Sequence, residues 1–195
     1  MTKGGTGKLM DDARLQELTN TLTNFKAGPS KPINFEDLKE PHWKEKLIAE
    51  GLPHLYQQYS AMFPVIQELC GLYASASAEQ QAWARQTIGR SKDALNALNQ
   101  YTPSLATSEN LTYQEWKAGY ETLKAQDFDR WLRLLITVLA LKLTRLDYRD
   151  DILAIQHLAG EAQKRGIDFE PYRQELIRLS DSASAVQVGL RKKSS

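Results

Sequence analysis

The chain has 195 residues, 42% of them apolar and 25% charged, which suits a globular fold with a sizeable core and excludes general disorder. Its 25 basic residues nearly cancel its 24 acidic ones, so nothing marks it as a protein built mainly to bind DNA or RNA. Cys70 is the only cysteine, which rules out an intrachain disulfide and fits a reducing compartment, so a cytoplasmic location is expected.

The first stretch, Lys3-Gly4-Gly5-Thr6-Gly7-Lys8, resembles the deviant Walker A loop of ParA/MinD-type ATPases, and that resemblance would imply nucleotide binding. A phosphate loop needs a strand to deliver it and a helix whose N-terminal amides face the phosphates. It also needs a Ser or Thr after the second lysine to hold magnesium. Only Met1 and Thr2 precede these residues, and Leu9 stands at the hydroxyl position. Residues 1–10 therefore read as a flexible leader, and no cofactor is expected.

From Asp11 or Asp12 onward, Leu15, Leu18, Leu22 and Phe25 fall on one face of an amphipathic helix, which Gly28-Pro29 stops. Residues 28–34 read as a loop. Asn34 can cap a short helical turn over 35–39, and Pro41 suits the first position of a helix that Gly51 ends. Leu55, Tyr59, Met62, Ile66, Leu69 and Tyr73 then keep one phase across Pro64. Unbroken phase favours one kinked helix there, with a break at Met62-Phe63 as the alternative.

Ser77 to Gln80 spells a capping box, with Ala84, Ile88, Ser91, Leu95 and Leu98 behind it on one face and Pro103 closing the helix. A polar linker over 102–110 follows. Thr112 to Glu115 is a second capping box, leading Tyr113, Trp116, Tyr120 and Leu123. Asp127 can cap a helix over 128–146 that is apolar nearly all round, and a helix without a polar face is buried on most sides. Arg133, Lys142 and Arg145 interrupt it, so it falls short of the ~20 apolar residues of a membrane span. Tyr148, Ile152, Ile155 and Ala159 mark the next helix, ended by Gly166; Asp168 caps the last, with Phe169, Tyr172, Leu176 and Leu179 as its stripe. Residues 181–195 read as a frayed tail.

No stretch alternates apolar and polar residues as a strand would, so the expected fold is all-α. Seven or eight helices form a compact bundle around the hydrophobic helix at about 128–146. Residues 11–180 are expected to make one domain, with the 102–110 linker as the place where it would subdivide.

Chemistry-bearing constellations are scarce. His42, His54 and His157 lack the spacing of metal ligands, so no metal and no catalytic residue is assigned. Two surfaces are candidates for a partner: Trp83, one position off its helix stripe, and the stretch 145–151 with Arg149, Asp150 and Asp151. The alternating charges of that stretch read first as ion pairs and caps. Trp43, His54, Tyr56 and Tyr59 could line a pocket between helices. The favoured function is therefore a non-enzymatic adaptor, regulator or inhibitor-type subunit that binds a protein. The alternative is a small-molecule-binding or enzymatic helical domain with an aromatic, histidine-lined pocket. Nucleic acid and membrane are not expected as partners, and a homo-oligomer remains open.

Overall fold

The structure is a computed structural model and describes residues 5–30, 32, 34–101, 112–142, 157 and 159–179. Among these residues there is no strand. The helices are α1 (Gly5–Asn24), α2 (Trp43–Tyr59), α3 (Phe63–Ser75), α4 (Ala78–Ile88) and α5 (Lys92–Gln100). They are followed by α6 (Tyr113–Gln126), α7 (Phe128–Lys142), a helical stretch over 159–164 (α8) and α9 (Glu170–Leu179). Short 3-10 turns lie at Asp37–Lys39 and Ser60–Met62.

The hydrophobic helix does occupy the centre. Val138 to Leu141 are buried one after another, which is every side of a helix turn, and α7 packs against α3, α4, α5, α6 and α9. It joins two apolar clusters. Val138, Ala140 and Leu141 belong to one, with α1, α3, α4 and α5; Phe128, Trp131, Leu132, Ile136 and Leu139 belong to the other, with Leu123, Ala162 and Tyr172.

Of the two capping boxes read from the sequence, the one at Thr112 is complete, while at Ser77 the side-chain half is made. Ser77 Oγ accepts from the Gln80 amide, and Thr112 and Glu115 make the reciprocal box at 3.2 and 2.8 Å. Asp127 accepts from the Arg130 amide at 3.0 Å. Gly166, at φ +71°, ends α8 in a Schellman turn: its amide donates to Gln163 and that of Ile167 to Ala162.

Five boundaries differ from the sequence reading, the first being α2, which starts at Trp43 with His42 as its N-cap rather than at Pro41. Helix α1 begins at Gly5 rather than near Asp11 or Asp12, and takes in Gly7 despite its low propensity. Gly51 does not end α2, which runs through both Gly51 and Pro53. The carbonyl that Pro53 leaves without a helical donor belongs to Ala49, an exposed residue. The kink expected at Pro64 is a true interruption: a 3-10 turn at Ser60–Met62 precedes α3, and Pro64 sits in its first turn, where its missing amide costs no bond. The helix expected from Ser77 to Pro103 is two, since Ser91 is no stripe residue but the N-cap of α5, accepting from the Ala94 amide at 3.2 Å.

Candidate functional site

The feature that stands apart from ordinary packing is an open apolar trough along the first part of α2. Trp43, Leu47, Gly51 and Leu55 follow at helical spacing on one face, flanked by Ile48 and Leu52. The far wall is the chain between α1 and α2: Pro32 and Asn34 at the lip, Asp37 and Leu38 above. The enclosed space is about 380 Å³.

Local chemistry holds that wall in place. The Asn34 side chain accepts from the Glu36 amide and its carbonyl from the Asp37 amide, the expected capped turn. Lys46 of α2 reaches up to Asp37 at 2.9 Å and to Glu40 at 3.9 Å, tying the 3-10 turn to the helix. The hydrogen bond to Asp37 raises the lysine above its ordinary pKa, so it stays charged and engaged. Lys44 lies 5.5 Å from the Trp43 ring.

Gly51 gives the trough its depth. A Cβ placed there would meet nothing within 4 Å, so the helix surface opens to solvent at that point. The walls stay wet: Leu38 is 37% exposed, Leu47 43% and Ile48 59%; Phe35, whose carbonyl accepts from the Leu38 amide, is 76% exposed. The only other large apolar side chains so exposed among the described residues are Leu9 and Met10, on the first turns of α1.

Of the four aromatic and histidine residues expected to share a pocket, only Trp43 lines the trough. Tyr56 is in an aromatic cluster that closes α2 onto α3 and α6, with ring centroids 5.7 Å from Tyr113, 5.9 Å from Trp116 and 6.4 Å from Phe63. Tyr59 is buried against Phe25, and Trp116 fixes this corner by donating from Nε1 to the Gln100 carbonyl at 2.7 Å. His54 is half-buried, with Nε2 shielded and without a hydrogen bond among the described residues. Trp83 is half-buried against the first cluster. Arg149, Asp150 and Asp151 lie outside the described residues.

The trough holds few ionisable groups. Its ionisable lining is Asp37, Lys46 and Glu50, of which Asp37 and Lys46 neutralise each other. Elsewhere, Cys70 is fully enclosed and burial pushes its thiol up to about 12, the opposite of an activated nucleophile. Among the described residues no three His, Cys, Asp or Glu side chains gather as metal ligands, and no helix is long and apolar enough to cross a membrane. At the resembled phosphate loop, Gly5 to Lys8 are helical and continuous with α1.

Comparison with family models, with curated proteins and with solved structures gives no match. Among the described residues the protein is all-helical, with an open apolar trough on α2.

Proposed function

We propose that this chain is a non-enzymatic binding module of the adaptor or regulator kind, which takes an apolar helical segment of a protein partner into the trough on α2. The observation that carries this reading is the concentration of exposed Leu38, Leu47 and Ile48 around one cavity. Water contact with apolar surface costs roughly 25 cal/mol per Å², and contiguous patches of this kind mark interaction sites. A small apolar ligand would also suit a space of about 380 Å³. The flared walls favour a helix instead, because small-ligand sites enclose most of their occupant whereas a helix is held along one stripe.

Two variants test the reading without touching the core. Gly51→Leu fills open space and improves helix propensity by up to about 1 kcal/mol. Ile48→Glu places a charge on the rim. Amphipathic helical peptides selected against the wild-type chain should lose binding to Gly51→Leu, and Ile48→Glu should weaken them at least about tenfold, ~1.4 kcal/mol. Peptides that bound all three chains alike would sink the proposal.

A further inference from the structure

The 3-10 turn beside the trough has three chemically distinct sides. Its backbone makes i→i+3 bonds from Asn34 through Glu40 at 3.0–3.2 Å, and in that geometry residues three apart eclipse one another. Glu36 and Lys39 share the outward side and pair in water at 2.9 Å. Asp37 and Glu40 share the second side, and both reach Lys46, at 2.9 and 3.9 Å. Phe35 and Leu38 share the third. Leu38 lines the trough, so Phe35 continues the same apolar side past the lip.

Two exposed apolar side chains next to an open apolar space make an arrangement that the hydrophobic effect disfavours. Packing does not hold the turn there, since none of the side chains from Asn34 to Glu40 is buried. It is fastened to α2 by the Lys46 pairs and by the Trp43 amide, which donates to the Glu40 carbonyl at 3.2 Å. The Lys46 and Asp37 side chains are 39% and 36% exposed, so their attraction is modest and screened by salt. The turn also has room to give at both ends. Glu40 leaves it in extended conformation, and the described residues from Phe25 to Asn34 form no helix or strand. Its sides lie about 120° apart, so a roll that seats Phe35 and Leu38 inward draws Asp37 and Glu40 off Lys46. Glu50, one helical turn further along α2 and also in the lining, is a third carboxylate acting on that lysine.

We propose that this turn is a lid over the trough, latched open by Lys46, and that loss of the latch lets Phe35 and Leu38 fill the space. The inference rests on the trough being open, as the proposed function requires, and is independent of who the partner is. It makes the availability of the site depend on ionic strength.

The test is binding of Nile red, a neutral apolar dye, to the full chain. Dye held in the trough is the part lost in Gly51→Leu, which fills it. Lys46→Met should weaken that binding at least about tenfold, and Lys46→Arg should keep it. Added salt should weaken it in the wild type, whereas a rigid apolar pocket holds a neutral dye as well or better in salt. Latch and lid should also be coupled. In a Phe35→Ser/Leu38→Ser chain, which has no apolar side to insert, Lys46→Met should change binding less than about twofold. Equal binding by the wild type and Lys46→Met, or an equal loss in both backgrounds, would overturn the inference and leave the trough reading standing. A wild type that takes up no Gly51-dependent dye loses both.

Discussion

Replacing Leu132 or Leu141 by alanine tests whether α7 makes its two clusters one folding unit. Both side chains are completely buried, Leu132 in the second cluster and Leu141 in the first. Each substitution removes buried apolar atoms and leaves a cavity that close-packed neighbours fill only in part, a loss of about 3 kcal/mol. In a domain of this size that lowers Tm by roughly 6–12 °C. With an m-value of about 2 kcal/mol/M it also moves the urea midpoint down by about 1.5 M. Helix content by far-UV circular dichroism and tryptophan emission, from Trp83 and Trp116 in the first cluster and Trp131 in the second, should trace one curve in all three proteins. Since one rigid helix carries both residues, either substitution should move the whole curve. A Leu132→Ala protein that lost its second cluster early and kept the first at its wild-type midpoint would refute the reasoning.

Stability should be level from roughly pH 8 down to about 5.5 and fall below about 4.5. Glu68 is held below the usual carboxylate range by its hydrogen bonds from Arg14, and Asp129 by those from the Tyr172 hydroxyl and then from Arg133. A lowered folded pKa means stabilisation that is whole above the unfolded value and lost as pH falls toward the folded one, so urea midpoints that declined already above pH ~6 would contradict the assignment. Cys70 should resist a thiol-exchange reagent at about pH 8 in the native chain and react freely in urea; native reactivity like that of a free thiol would show that its enclosure opens.

What the sequence disclosed best was chemistry acting over three or four residues. The Thr112 box, the Asp127 cap and the Gly166 turn each satisfy specific backbone groups of their own helix, so neighbours in sequence suffice to read them. The mostly apolar stretch of α7 after Arg133 likewise forces burial wherever its partners come from. Ser91 shows the limit. It keeps the phase of the Ala84–Leu98 stripe, yet a serine hydroxyl can also serve as a cap. Periodicity cannot tell those uses apart. Tyr56 and Tyr59 were legible as aromatic corner residues, but whether such a corner closes or stays hollow depends on Tyr113 and Trp116, far along the chain.

Gly51 explains why the trough itself went unread. Trp43, Leu47, Gly51 and Leu55 form an unbroken row at a spacing of four, with Ile48 and Leu52 beside it. Reading the glycine as a stop cuts that row into two short pieces and hides the face. Inside a helix glycine gives up about 1 kcal/mol relative to alanine, so a punctuation reading is the natural first choice. In the fold the same missing side chain has another effect: it lowers the floor between Leu47 and Leu55 and makes a groove where a larger residue would make a ridge. Pro53 strengthens the misreading, yet the carbonyl it strands belongs to an exposed residue and costs little there. Two residues that weaken α2 on propensity are thus tolerated on a helix anchored at its far end by Tyr56 and Tyr59. On the proposed reading, that loss of propensity keeps the trough on α2 open for a partner. It is also why Gly51→Leu should stabilise the chain while closing the site.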